Sequence, residues 1–355
     1  MNEIILITGG CGFVGSGIGI KIKRDFPDAR VIAMDNLMRR GSELNVKRLQ
    51  AHNIEFIHGD IRNVEDFFQI GEISILIETA AEPSVLAGIH SGPDYVLNTN
   101  LLGTINCLNF AAKHKSKFIF LSTSRVYPIS KLNNINYTEL PTRFNISDYQ
   151  EQTGVSGKGI NESFSLSGAR SFYGASKLAS ELLVQEYSEF YQLKTVINRC
   201  GVITGPWQMG KVDQGVVVLW LSKHFWKKDL NYIGYGGLGK QVRDLLHIDD
   251  LYALIKLQIT DLDKYENGIY NVGGSEYSNS SLNELTTICE KITGNKITIN
   301  SIQENRPADI RIYITDNSKI ESVSGWKPKK NPEQILNDIF QWLELNEEKL
   351  KDILK

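Results

Sequence analysis

The stretch Ile4-Ile-Leu-Ile-Thr-Gly-Gly-Cys-Gly-Phe-Val-Gly15 decides the fold. Residues 4–7 are a short, wholly aliphatic run that reads as a buried strand, and a glycine-rich turn follows at once. Gly10, Gly12 and Gly15 satisfy G-x-G-x-x-G, while Gly9, Gly12 and Gly15 satisfy the related G-x-x-G-x-x-G spacing. Such glycines permit a tight turn, a close approach of backbone to pyrophosphate, and packing of helix on strand. The helix that follows offers N–H donors and the positive end of its dipole. A glycine pattern alone also describes an ordinary turn; lying between a strand and a helix, it has the context that a dinucleotide site needs. Asp35 ends the next apolar run, 20 residues past Gly15. A carboxylate there accepts hydrogen bonds from adenosine ribose hydroxyls and repels a 2′-phosphate, which favours NAD over NADP.

Working outward, the same rhythm continues. Residues 31–34, 54–57, 73–77 and 117–121 read as further buried strands, with helical stretches at 15–25, 42–51, 63–70 and 94–114 between them. The last carries Leu97, Leu101, Leu102, Ile105, Leu108 and Ala112 at helical spacing. Alternating strands and helices predict an α/β fold, a doubly wound parallel sheet covered on both faces. Residues 128–171 break the pattern: they are rich in Asn, Ser, Gly and Thr, lack sustained periodicity, and read as a long functional or mobile loop. Helix and strand return at 174–192 and 194–199. From about 203 the elements shorten between glycine-rich turns, and a final amphipathic helix is expected after Asn331, with Pro332 in its first turn. This gives a dinucleotide-binding domain over 1–200, with 128–171 inserted near the active site, and a smaller, irregular substrate-binding lobe over 201–355. Some segments of that lobe are expected to return to the first domain.

Composition narrows the function. With 39 Lys plus Arg against 41 Asp plus Glu in 355 residues, the chain lacks the basic excess of a nucleic-acid-binding domain. The longest apolar run, 216–221, is far short of the ~18 residues a membrane span needs. MNEIILITGG has no signal-peptide pattern, and Cys11, Cys107, Cys200 and Cys289 form no CxxC pair. A cytoplasmic protein without a membrane, nucleic-acid or metal partner is the expectation. Gly234-x4-Gly239-Lys240 approaches a phosphate-binding loop, but Gln241 stands where Ser or Thr must bind magnesium. His247 reads as a structural polar contact, and no G-x-S-x-G elbow exists.

A second constellation is Tyr173-Gly-Ala-Ser-Lys177, which opens a helix, with Ser122-Thr123-Ser124 ending the fifth strand. Tyr and Lys four residues apart share one helical face. The ammonium favours phenolate, so the tyrosine can exchange a proton with a sugar hydroxyl that a residue such as Thr123 orients.

In this order the motifs resemble the extended short-chain dehydrogenase/reductase family, specifically its NAD-dependent nucleotide-sugar epimerases and dehydratases. The resemblance also includes Gly59-Asp60-Ile61, Ala80-Ala81, Asn100-Leu-Leu-Gly103-Thr104, Asp213-Gln214-Gly215, Gly239-Lys-Gln-Val-Arg243-Asp244, Leu246-His247-Ile-Asp-Asp250, Asn271-Val-Gly-Gly274, Arg306-Pro-Ala-Asp309 and Gly325-Trp-Lys-Pro328. It implies that Gly9, Gly12, Phe13, Val14, Gly15, Asp35, Asn36, Arg40, Asp60 and Ile61 hold the adenosine and pyrophosphate half of NAD. Ala80, Ala81 and Asn100 would line the way to the nicotinamide, with Tyr173 and Lys177 also on the cofactor. Thr123, Tyr173 and Lys177 would be catalytic. Glu82, Thr123, Ser124, Gln214, Gly215, Arg243, Arg306 and Asp309 would meet the substrate, the arginines gripping its diphosphate. The alternative for Arg243 and Arg306 is structural ion pairing with Asp244 and Asp309.

The implied reaction is epimerisation of a nucleotide-linked sugar, a CDP-deoxyhexose at C2 being favoured. A 4-epimerase, a 4,6-dehydratase and a non-catalytic NAD-binding protein are the alternatives. Dehydratases of the family place an acid directly after the catalytic Thr, whereas Ser124 and Arg125 follow Thr123 here; a non-catalytic relative would be expected to have lost Tyr173 or Lys177. The chain departs from the family at Glu78-Thr79-Ala80-Ala81, where His-Leu-Ala-Ala or His-Leu-Ala-Gly is common, and at Glu82, Pro128 and Val202. A homodimer or homotetramer built on the helices at 94–114 and 174–192 is also implied.

Overall fold

The computed structural model describes residues 3–89, 92–210 and 214–355. Its contacts divide the chain into two interleaved units. The first comprises 1–126, 171–199 and 252–270, and the second 127–170, 200–251 and 271–355.

Numbered along the chain, the elements of the first unit begin with β1 (Ile4–Thr8), α1 (Phe13–Asp25), β2 (Arg30–Asp35), α2 (Glu43–Gln50), β3 (Glu55–His58) and β4 (Ile75–Glu78). After them come α3 (Asp94–Leu97), α4 (Gly103–His114), β5 (Lys117–Thr123), α6 (Phe172–Tyr191) and β10 (Thr195–Cys200), then most of α8 (Ile248–Thr260) and of β14 (Gly268–Val272). The strands form one seven-stranded sheet in the order β14-β10-β5-β4-β1-β2-β3. β1 pairs in parallel with β2 and β4, β2 with β3, and β4 with β5. The short Ile-, Val- and Phe-rich runs in the middle of the sheet are strands because helices cover both faces and bury successive side chains, whereas the edge strand β3 leaves Glu55 and His58 exposed. On one face Leu6, Ile32, Leu76, Phe118 and Phe120 pack against Cys107, Leu108 and Ala111 of α4 and Val184 of α6. Each large apolar side chain removed from water contributes about 1.5–3 kcal/mol.

Two expected helices differ. At 63–70 only a 3-10 turn, Val64–Phe67, forms. Asp66 Oδ2 accepts the Asp60 N–H at 2.7 Å, a local side-chain bond that competes with helix propagation. The stretch 94–114 is interrupted by a π-helical turn, Asn98–Leu102. Asn100 in this turn is fully buried, while Leu102 is exposed.

The second unit contains α5 (Ile129–Asn133), β6 (Tyr137–Glu139), β7 (Phe144–Ile146), β8 (Val155–Ser156), β9 (Gly159–Ile160), β11 (Val202–Thr204), α7 (Val216–Phe225), β12 (Leu230–Ile233) and β13 (Val242–His247). It continues through β15 (Asn279–Ser281), α9 (Leu282–Thr293), β16 (Ile299–Ile302), β17 (Ile312–Tyr313), α10 (Ser318–Ser324), α11 (Pro332–Leu345) and α12 (Glu347–Leu354). β13 is the hub, pairing with β11, β15 and β17. The polar segment at 128–171 is not a structureless loop. It forms α5 and two small antiparallel hairpins, β6–β7 and β8–β9, whose strands are too short to show a period. It also clusters with the second unit, not with the sheet whose sequence it interrupts. Helix α11, which α12 follows, starts as its sequence suggests, with Asn331 and Gln334 in a reciprocal capping box and Pro332 in the first turn. Among the described residues, no helix is long and apolar enough to cross a membrane.

Candidate functional site

The glycine turn between β1 and α1 is closed so tightly that side chains would not fit. Gly9 has φ of +68°, and a Cβ there would lie 2.7 Å from Ala80 Cα. A Cβ on Gly15 would lie 2.3 Å from the Gly9 carbonyl oxygen. Gly12 is the N-cap of α1, with no side-chain cap and no acid in the first turn. Phe13 and Val14 are half-buried there. The uncapped N–H groups and the positive helix end suit an anionic pyrophosphate.

Asp35, at the end of β2, accepts the Cys11 N–H at 3.0 Å and the Leu37 N–H at 2.8 Å, tying that strand end to the turn. Burial raises its carboxyl above the usual range, and these backbone bonds partly offset the rise. Asn36 donates to Asp60 Oδ2 at 2.8 Å, and Arg62 pairs with the same carboxylate at 2.6 Å. Burial opposes ionisation of Asp60, but the bonds from Arg62 and Asn36 outweigh it and hold the group at about 2. Ile61 is packed beneath Gly103, where a Cβ would meet its Cδ1 at 2.4 Å. Arg40 is exposed. The structure therefore gathers Asp35, Asn36, Asp60 and Ile61 along the ends of β2 and β3.

Ala80 and Ala81 follow β4 directly beside Gly9 and are half-buried. Asn100 is buried and committed to its own unit: its Oδ1 accepts the Glu82 N–H at 2.8 Å, and its Nδ2 donates to the Glu82 carbonyl at 3.1 Å and Ser176 Oγ at 3.2 Å. It thereby holds the Glu82 segment against α6.

Helix α6 begins at the N-cap Ser171, whose side chain accepts the Gly174 N–H. This fixes the first turn that carries Tyr173. Lys177, one turn on, is only 2% exposed, its Nζ 3.7 Å from the centre of the Phe120 ring. Thr123 and Ser124 are both buried at the end of β5, and Thr123 Oγ1 accepts the Arg125 N–H at 3.1 Å. A further turn along α6, Glu181 pairs with Arg199 of β10 at 2.7 Å and accepts a hydrogen bond from Ser122 of β5. This buried triad joins the strand carrying Thr123 to the helix carrying Tyr173 and Lys177. Sequence reasoning missed it, although Tyr173, Lys177 and Glu181 at i, i+4 and i+8 share one helical face and could have signalled it.

In the second unit, Gln214 and Gly215 lead into α7, Gly215 with φ of +70°; Asp213 lies outside the described residues. Arg243 of β13 is spent on its own unit. It pairs with Asp309 at 3.0 Å and donates to the carbonyls of Val242 at 2.8 Å and Ile310 at 2.6 Å. This is the structural pairing raised as the alternative to phosphate binding. Asp244 is not its partner: that side chain is wholly buried, accepts the N–H groups of Ser275 and Thr315, and is raised by burial to about 6. Arg306 is half-buried, three residues before Asp309. His247 is a structural contact, its Nδ1 accepting the Asp249 N–H at 3.1 Å. Arg311 was not anticipated. Its guanidinium stacks over Tyr137, Tyr235 and Phe144 at 4.2, 5.1 and 5.7 Å, securing the β6–β7 hairpin. No motif announces that contact.

The sequence matches the NAD dependent epimerase/dehydratase family over residues 5–273. CDP-paratose 2-epimerase of Salmonella typhi is 30% identical over 346 residues, covering 95% of this chain and 98% of that one. Among solved structures, dTDP-glucose 4,6-dehydratase of Bacillus anthracis in complex with NAD has a TM-score of 0.77 at 25% identity, covering 99% of each chain. The UDP-glucose 4-epimerase of Thermus thermophilus in complex with NAD has a TM-score of 0.75 at 25% identity, covering 96% of this chain and 98% of that one. The chain belongs to the NAD dependent epimerase/dehydratase family, and its closed glycine turn, open helix start and Asp35 fit that cofactor.

Proposed function

Within that family, we propose that this chain epimerises a nucleotide-linked sugar, with a CDP-deoxyhexose inverted at C2 (CDP-paratose to CDP-tyvelose) as the best-supported reaction. The observation that carries epimerisation over dehydration is at the end of β5. Ser124 and Arg125 follow Thr123, so the position directly after the catalytic hydroxyl, where the family's dehydratases carry an acid, has none. The choice of a CDP-sugar and of C2 rests on the likeness to the Salmonella enzyme.

NAD, when bound, supplies the acceptor that takes hydride from the ring carbon and returns it to the other face. The chain's own residues manage the proton. Tyr173 Oη, as phenolate, takes the hydroxyl proton while the carbon is oxidised and returns it when the ketone is reduced. Lys177 four residues on favours that phenolate, and Thr123 Oγ1 orients the sugar oxygen. Arg306 and Gln214 are the candidates for holding the diphosphate, with Arg243 fixing the Arg306–Asp309 turn through Asp309. Asp35 selects NAD: Asp35→Ala should narrow the preference over NADP, and tight NADP binding by the unaltered protein would remove that role. Cys11, Cys107, Cys200 and Cys289 are all buried and none is in a disulfide, which suits a reducing cytoplasm. The π-helical turn before α4, with Leu102 exposed, and α6, with Leu182 exposed, are the candidate dimer surface; Leu108 of α4, by contrast, is core. A monomeric mass by light scattering would count against that surface.

The reaction is tested by incubating the NAD-loaded protein with CDP-, UDP-, GDP- and dTDP-sugars and following the ring protons by NMR. The expected outcome is a C2 epimer from the CDP-deoxyhexose. Inversion at C4, or a 4-keto-6-deoxy product, would replace this reading with one of its relatives' reactions.

A further inference from the structure

Glu78 brings an acid into the interior beside the proposed catalytic helix. Parallel register sets Thr8 of β1, Glu78 of β4 and Phe120 of β5 side by side. Over this row lie Thr104 and Cys107 from α4 and Lys177 from α6. Glu78 is 0% exposed and Lys177 2%. An ammonium so removed from water needs an opposite charge within the same low-dielectric space. The π face of Phe120 supplies part of that need at 3.7 Å. Glu78 is the acid whose field Lys177 meets there.

The hydrogen bonds around Glu78 admit two arrangements. The Thr104 hydroxyl lies 2.6 Å from Glu78 Oε1 and 2.7 Å from the Asn100 carbonyl oxygen. A hydroxyl has one proton to donate. If Thr104 gives it to Asn100, the short contact is complete only when Glu78 itself carries a proton. If Glu78 is ionised, Thr104 turns to it, and the Asn100 oxygen can take the proton of Ser180 Oγ at 2.9 Å, which is shared with the Ser176 carbonyl at 3.0 Å. Glu78 Oε2 has no hydrogen-bond partner among the described residues, so the anion relies on charge.

We propose that Glu78 is a positioning residue for Lys177, its carboxylate acting as the counter-charge that keeps the catalytic ammonium protonated in the interior. The proposal rests on the catalytic reading of Lys177 and adds to it a residue in which this chain departs from its family's usual sequence. Burial raises Glu78, and with Lys177 and Thr104 opposing the rise it is left at about 7. The titratable groups facing it are Lys177 from α6 and Cys107 from α4; β1 and β5 present Thr8 and Phe120, which do not titrate there. Burial holds the Cys107 thiol well above its ordinary range, so it remains neutral. On the sheet side of Lys177, Glu78 is then the group that changes charge near neutrality, as distinct from the Tyr173 phenol one turn earlier on α6, and the Glu78→Gln protein below separates the two.

The test is a pH titration of the full chain labelled with 13Cε-lysine, with and without NAD, using Lys177→Arg to assign the Lys177 resonance. In the unaltered protein that resonance should show a step centred near pH 7, in addition to its own titration. Glu78→Gln should abolish the step and lower the Lys177 midpoint by about one pH unit or more, because an anion beside the ammonium is lost. Glu78→Asp should retain a step. Thr104→Val should move it to higher pH, since a bond favouring the anion disappears. A Lys177 midpoint unchanged within about 0.3 pH unit in a Glu78→Gln protein with normal circular dichroism and melting would overturn the proposal. If Glu78→Gln does not fold, an unmoved step in Thr104→Val would do the same. None of these readouts needs a sugar substrate, so they stand or fall separately from the epimerase reading.

Discussion

Two ion pairs show how differently the two units use charge. In the first, Arg199 meets Glu181 with side chains 4% and 1% exposed, and Ser122 completes the group. In the second, Arg243 meets Asp309 with side chains 16% and 19% exposed, and the same guanidinium donates to neighbouring carbonyls. The buried pair spans α6, β5 and β10, and so holds the strand and helix that carry Thr123, Tyr173 and Lys177. The half-buried pair tethers one turn, Arg306–Asp309, to β13. A charge buried between major elements constrains geometry over long distances along the chain, whereas one near solvent secures a loop.

The largest effect should come from breaking the buried pair. Glu181→Leu removes the carboxylate that Arg199 meets in the interior and should cost about 3–5 kcal/mol in urea unfolding. A loss below about 1 kcal/mol would make the two pairs equivalent and end the contrast. Next in size, Tyr173→Phe keeps the ring's packing and removes only the ionisable oxygen. Turnover should fall by about 10² or more with an unchanged melting temperature, and near-normal turnover would place the base elsewhere.

The second unit offers a sharper division between neighbouring arginines. Arg243→Ala should lower unfolding stability by about 1–3 kcal/mol through its lost charged hydrogen bonds. Arg306→Ala should instead weaken nucleotide-sugar binding by about 1.5–3 kcal/mol. Isothermal titration and thermal denaturation of both variants decide it; the reverse pattern would return phosphate binding to Arg243.

The smallest effect concerns Asp60, which Arg62 and Asn36 hold at about 2 against an unfolded value of 3.8. A depressed carboxyl stabilises the fold above its unfolded value, and that gain is lost as pH falls toward 2. Asp60→Asn should therefore cost about 1–2 kcal/mol at pH 7, allowing for partial solvent screening. The difference from the unaltered protein should shrink as pH falls from about 4 through 2 and disappear only below that. A constant difference across that range would mean that Asp60 acts through shape alone.

Much of the first unit was legible because its signals are local. Residues 4–15 contain a complete strand, turn and helix start, and close approaches at Gly9 and Gly15 explain why glycine stands there. Asp35 needed only the end of the second strand, and Tyr173 with Lys177 needed only helical spacing. The polar segment at 128–171 was not legible, since strands of two or three residues carry no period. Nor was its attachment through Arg311, whose aromatic partners Tyr137, Phe144 and Tyr235 lie far away in sequence.

The sequence by itself determined the parallel sheet, the dinucleotide turn and the spacing of Tyr173 and Lys177, because backbone sterics and side-chain period act over a few residues. Only the tertiary structure decided which charges meet. Arg243 and Asp244 are adjacent, and successive side chains on a strand point to opposite faces. Arg243 thus reaches Asp309, 66 residues away, while Asp244 turns into the interior and is raised by burial to about 6. Glu78 and Lys177 are likewise distant in sequence, and they meet because α6 covers the face of the sheet on which Glu78 of β4 lies. Burial selects among the many acids and bases a chain contains, and burial is a property of the packed elements rather than of any short stretch.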